Sequence, residues 1–135
     1  RLFDGKKMIL NDKGFTFIEI ITILIIIGIL FAIAIPKYMD LINSSKAAAA
    51  KSQIAEMKSS ANLAYAKLFL KNGGQPTVSD ILNELGGNGV QEIGQTPDNW
   101  TVRFTAVSTT VMSLLVTARG GDQTYSATGT WLIPQ

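Results

Sequence analysis

The sequence predicts an α+β fold. A long N-terminal α-helix, with a membrane half and an amphipathic half, packs on a small C-terminal antiparallel sheet of about three to four strands. Three observations carry this. An almost uninterrupted apolar run fills Phe15–Ile35. From Lys37 onward apolar residues recur at helical spacing, and no Gly or Pro interrupts them before Gly73-Gly74. Beyond Gly89 the texture changes to short alternating runs rich in β-branched and aromatic residues, bounded by Gly and Asp.

In chain order, Arg1–Gly14 is polar and basic. Its Arg1, Lys6, Lys7 and Lys13 outweigh Asp4 and Asp12, and this segment accounts for the whole formal charge of +2. Positive charge just ahead of an apolar run keeps the N-terminus on the cytoplasmic side of a membrane and sends the C-terminal domain outward. Phe15–Ile35 is 21 residues long, which is roughly 31 Å at about 1.5 Å per helical residue, close to the hydrocarbon thickness of a bilayer. In lipid a single segment satisfies its backbone hydrogen bonds only as a helix, so the modest helix propensity of isoleucine matters little. The one charge in this run is Glu19. An unpaired acid in hydrocarbon costs at least about 2.5–3.5 kcal/mol, so this one has a task and a partner. Capping the helix N-terminus is one such task, since the macrodipole favours an acid there. Gly28 and Pro36 are helix-weakening positions, and Pro36 predicts a kink near residues 32–36. Gly28 reads equally as a packing notch for a neighbouring helix or as a place where the helix can locally melt.

Lys37–Asn72 then continues as an amphipathic helix. Leu41, Ile42, Ile54, Ala61, Tyr65, Leu68 and Phe69 take one side, and six lysines and acids between Lys46 and Lys71 take the others. Thr77 is the predicted N-cap of a short second helix, Ser79–Leu85, ended by Gly86-Gly87-Asn88-Gly89. Trp100–Ala106, Val111–Ala118 and Tyr125–Ile133 read as a three-stranded meander with residues 50–70 of the long helix on one face. Trp131 and Ile133 are its expected anchors.

Composition removes most chemistry. There is no Cys and no His, so neither a disulfide framework nor the commonest general base and metal ligand is available. No metal site, no cofactor and no enzymatic activity are expected. Basic and acidic side chains balance beyond Gly14, and no basic face for nucleic acid is expected.

One stretch goes further. Gly14-Phe15-Thr16-Phe17-Ile18-Glu19 resembles the processing site of type IV prepilins and the related pseudopilins: a short basic leader ending in Gly, then Phe, then Glu at the fifth mature position. The likeness extends to Gly28 and Pro36 and to the long helix followed by a sheet. It implies that residues 1–14 are a leader, that residues 15–36 form the transmembrane and filament-core helix, and that residues 37–135 form the amphipathic helix and head. It implies cleavage between Gly14 and Phe15 by an inner-membrane prepilin peptidase, followed by N-methylation of Phe15. An ordinary signal peptidase would need a site after the apolar run, and Ile33-Ala34-Ile35-Pro36 is a poor one. Because the cut precedes the run, the helix is retained, held first by lipid and then by other copies in an extracellular filament. Besides itself, the implied partners are the peptidase and the inner-membrane assembly machinery, and Glu19 would pair with the Phe15 amine of an adjacent subunit.

The resemblance favours a structural pilus subunit, the major pilin. Its alternatives are a pseudopilin of a secretion or DNA-uptake system, which would be expected to bring a calcium-binding acidic loop, and an ordinary single-pass anchored binding protein. Pro97-Asp98-Asn99-Trp100 is faintly similar to a pseudopilin segment. Asp122 is the one acid that follows Asp98.

Overall fold

The computed structural model describes residues 14–135. The leader assigned to residues 1–14 therefore lies, except for Gly14, outside the described residues. The chain divides into two compact units, with the boundary between Met39 and Asp40. The long helix, α1, spans Phe17–Asn72 and is assigned without interruption through Gly28 and Pro36.

In the first unit α1 is apolar on every side, with a mean hydropathy of 3.0 over its most apolar stretch, and none of that stretch is buried. Ile25, Ile29, Phe31 and Ile33 are each about 60% exposed. A helix that is hydrophobic all round has no face to prefer, so it needs an apolar medium or several neighbours.

In the second unit the same helix is amphipathic, and the face it buries is Ala50, Gln53, Ile54, Met57, Ala61, Ala64 and Leu68. Intervals of three and four keep these side chains on one stripe. Three of the seven are alanines, which let the sheet come close. The expected positions Ile54, Ala61 and Leu68 lie in this stripe, whereas Leu41 and Phe69 are exposed. The second helix, α2, spans Val78–Glu84 and packs Val78, Ile81 and Leu82 inward. Its start is fixed by Thr77 and Asp80, which form a complete capping box. Lys67 of α1 pairs with Glu84.

The sheet has four antiparallel strands in the order β1-β2-β3-β4: β1 Gly89–Ile93, β2 Trp100–Ala106, β3 Val111–Arg119 and β4 Ala127–Leu132. The expected meander is present as its last three strands, with β1 added at one edge. One register line crosses the sheet as Gly89, Phe104, Leu114 and Gly129. Val102, Phe104, Met112, Leu114, Val116 and Trp131 point from the sheet into one core with the helical stripe. On β4, Gly129 marks the closest approach: a Cβ there would sit 2.6 Å from the Ile54 Cγ2 of α1. Trp131, two residues on, is 4% exposed and donates its indole N–H to Asn62 Oδ1 at 2.8 Å. Trp131 and Ile133 are the buried anchors that the sequence suggests.

Candidate functional site

Two places hold the functional side chains, one in each unit. The first is the entrance to α1. Gly14, Phe15 and Thr16 precede the helix in non-helical backbone, and Phe15 is 75% exposed. The Thr16 carbonyl accepts the first helical bond, from Ile20 N at 3.2 Å, which makes Thr16 the N-cap and Glu19 the third helical residue. Their side chains close a capping box. Thr16 N and Thr16 Oγ1 each donate to Glu19 Oε2 at 2.7 Å, and Glu19 N donates to Thr16 Oγ1 at 3.3 Å. The short polar side chain thus satisfies amides that the first turn leaves unpaired. The box turns the carboxylate back toward Phe15 and engages Oε2, while Oε1 accepts nothing among the described residues. Further in, Thr22 Oγ1 donates to Ile18 O at 2.8 Å, so its hydroxyl is also satisfied within its own helix.

Of the two tasks considered for Glu19, capping is present in the single chain. Its partner Thr16 is legible in retrospect, because Thr-x-x-Glu before an apolar run is a capping-box signature. The other task needs the Phe15 amine, which in the uncut chain is an amide bonded to Gly14. Gly28 lies in the helix with open space around its Cβ position, and Pro36 lies in the helix as well.

The second place is the corner between β3 and β4. Asp122 Oδ2 accepts from Lys46 Nζ of α1 at 2.7 Å. Its Oδ1 accepts from Thr124 N at 2.9 Å and Thr124 Oγ1 at 2.6 Å. The Lys46 ammonium foremost, then the Thr124 donors, hold the Asp122 carboxyl well below the usual carboxylate range. Lys46 Nζ lies 5.3 Å from the Tyr125 ring centre, and Arg119 stacks its guanidinium 5.2 Å over Trp100. Trp100 and Tyr125 meet edge to face at 5.6 Å. The turn closes on Gly120, whose amide donates to Asn99 O at 2.8 Å. At φ +55°, a Cβ on it would collide with Pro97 O. Both oxygens of Asp122, the acid on which a calcium loop would depend, are thus engaged by donors of the protein. Among the described residues no three His, Cys, Asp or Glu side chains converge as metal ligands would. The Lys46–Asp122 ion pair latches the sheet to α1. Sequence reasoning missed it because Lys46 and Asp122 are 76 residues apart.

No family model matches the chain, and no solved structure matches it. Known proteins do. Over 93 residues the chain is 34% identical to the type IV narrow pilus major component of Thermus thermophilus, an alignment that covers 68% of this chain and 77% of that one. It is 32% identical over 117 residues to the type IV major alpha-pilin of Moraxella bovis, covering 87% of this chain and 68% of the relative. A fimbrial protein of Pseudomonas aeruginosa is 44% identical over 53 residues, 39% of this chain and 34% of its own length.

Proposed function

Since the chain belongs to the type IV pilin family, we propose that it is the structural subunit of a type IV pilus, a homopolymer assembled through its N-terminal helices. The observation that carries this reading is the first half of α1, apolar on all sides and wholly exposed in the single chain. Each isoleucine there that is fully buried gains about 1.5–3 kcal/mol. A bilayer supplies that burial before assembly, and other copies of the same helix supply it in the filament. The subunit begins in the inner membrane with its N-terminus cytoplasmic and ends in the extracellular filament.

Processing comes first. The Gly14–Phe15 bond lies in exposed, non-helical backbone ahead of the cap, where a prepilin peptidase can reach it without unwinding α1. The cut leaves the Thr16–Glu19 box intact and creates an amine on Phe15, the group that is then N-methylated. A carboxylate has two oxygens. The cap uses Oε2, and Oε1 takes the Phe15 amine of the adjacent subunit. At about 4 Å and an effective dielectric of about 20, that attraction is about 4 kcal/mol before desolvation is set against it. The pair therefore fixes register more than it adds net stability. The relatives are named as pilus and fimbrial proteins, and Asp122 is engaged by Lys46. Both support the pilus reading over the pseudopilin one.

Glu19→Gln tests the reading cleanly, because Gln also serves at the third position of a capping box. The cap survives while the charge is lost. Leader removal is expected to be normal and filament incorporation to fall at least tenfold. Normal incorporation beside normal processing would refute the intersubunit role. Mass spectrometry of the native chain separates the pilin from an ordinary anchored protein. In cells with an active prepilin peptidase, a chain that still carries residues 1–14 would defeat the proposal.

A further inference from the structure

In the second unit, the side of α1 turned away from the sheet carries no charge. Ser52, Ala55, Ser59, Leu63, Ala66 and Leu70 recur at intervals of three and four, so they form one stripe opposite the buried one, and all are exposed. Leu63 is 70% exposed and Leu70 83%. The water-facing side of a surface helix ordinarily holds its charged residues. This stripe instead continues the apolar first part of the helix, through which copies assemble, so a neighbouring copy approaches on this side.

The charges stand on the two flanks of the stripe, sorted by sign. At about 100° per residue, Lys51 and Lys58 fall on one flank and Glu56 on the other. Lys58 lies along β4: its Cε is 3.6 Å from the place a Cβ on Gly129 would take. Glu56 borders the groove lined by Gln91 and Ile93 of β1. Strands β1 and β4 are opposite edges of the sheet, and Glu92 adds a second exposed acid on β1. Among the described residues, the ion pairs Lys46–Asp122 and Lys67–Glu84 use none of these four side chains. No residue three or four positions from Lys51, Glu56 or Lys58 carries the opposite charge, so the helix does not pair them within itself.

An acidic edge and a basic edge match when copies stand side by side and parallel, since the β1 edge of one then lies beside the β4 edge of the next. The contact is heterologous and repeats from copy to copy without closing on itself, as a filament requires. Side by side but antiparallel, like charges would meet. Resting on the pilus reading, we propose that these two edges form a contact between neighbouring subunits, in which Glu56 of one copy pairs with Lys58 and Lys51 of the next. Each exposed pair adds little affinity. Repeated at every subunit, it fixes orientation and order.

The test assembles filaments from the full chain carrying Glu56→Lys, Lys58→Glu or both. Circular dichroism melting of the separated subunits in detergent checks that each head is folded. Should Lys58→Glu melt early, the fully solvated Lys51→Glu takes its place, alone and with Glu56→Lys. Each single reversal is expected to lower filament yield about tenfold or more, because like charges then face each other across the contact. The double exchange is expected to return the yield to within about twofold of wild type, the coupling of a direct pair. In wild-type filaments, carbodiimide is expected to join Glu56 to Lys58 or Lys51 of another copy, a product absent from separated subunits. Single reversals that assemble like wild type, an exchange no better than the singles, or filaments without that cross-link would overturn the contact and leave the pilus reading intact. A wild-type chain that builds no filament would refute the pilus reading and the contact with it.

Discussion

Residues Phe17–Met39 and Asp40–Asn72 belong to one helix, yet they meet their surroundings in opposite ways. In the first part Ile29, Phe31 and Ile33 are about 60% exposed, and in the second Ala50 and Ala61 are at 0%. Backbone geometry is shared, so the difference lies in side-chain pattern. An apolar surface all round cannot be satisfied by one sheet and calls for a medium. A single stripe, thinned by alanines, is satisfied by a sheet that the same chain provides. One helix therefore serves two solvents, and substitutions in its two parts are expected to register in different assays.

The largest contrast is between buried and exposed aromatics. Trp131→Ala removes a side chain that is 4% exposed and leaves Asn62 without its indole donor; it is expected to cost about 3–5 kcal/mol of head stability. Phe31→Ala, at a position 60% exposed, is expected to stay within about 0.5 kcal/mol of wild type. Denaturant unfolding followed by circular dichroism of the solubilised chain measures both. A near-neutral Trp131→Ala would show that the core does not depend on that anchor.

Two glycines sharpen the comparison at a smaller scale. Gly129→Ala places a methyl 2.6 Å from Ile54 Cγ2, an overpacking expected to cost about 1–3 kcal/mol of head stability. Gly28→Ala meets nothing within 4 Å and should strengthen its own helix by up to about 1 kcal/mol without moving the head's midpoint. If Gly28→Ala nevertheless blocks filament assembly, the glycine is needed as a notch or a weak point between copies.

The same split explains what was legible in the sequence. The long apolar run, the helical spacing and the Thr77 cap depend on residues within a few positions of one another, and all three could be read directly. The inward stripe was only half legible. Ile54, Ala61 and Leu68 follow the hydrophobic pattern, but Gln53 is buried against its polarity, while Phe69 is exposed against its size. Strand β1 escaped because Gly89-Val90-Gln91-Glu92-Ile93 alternates the wrong way for a hydrophobic rule: Val90 faces out, and Gln91 lies over the core. The Lys46–Asp122 latch joins distant segments, and nothing local to either residue announces it.

The two capping boxes allow a matched pair of smaller effects. Thr77 and Asp80 make the same three bonds in the head that Thr16 and Glu19 make at the entrance of α1. Thr77→Ala is expected to lower head stability by about 1 kcal/mol. Thr16→Ala removes an equivalent cap, and the head's unfolding midpoint is expected to stay where it is. A matching loss from Thr16→Ala would show that the first turn of α1 is coupled to the head's cooperative unfolding.

The smallest effect is the acid response, and its sign follows from the carboxylates of the head. Asp122 is lowered by Lys46 and then Thr124, Asp80 by the Thr77 hydroxyl and amide, and Glu84 by Lys67. A carboxylate whose folded pKa lies below its unfolded one favours the folded state once it is ionised. That contribution is complete above the ordinary carboxylate range, near about 4, and is lost as pH falls through the folded value. The head's melting temperature is therefore expected to be level from pH 7 to about 5 and to decline below about 4. These groups are at the surface, where water and salt screen them, so the decline is modest and shallower at high ionic strength. Lys46→Met keeps the packing stem of the lysine while removing the first cause of the Asp122 shift. It should lower the neutral-pH midpoint slightly and flatten the acid decline, so that the two proteins converge as pH falls. Parallel curves that never converge would mean that Lys46 stabilises the corner by the packing of its stem rather than through the ion pair.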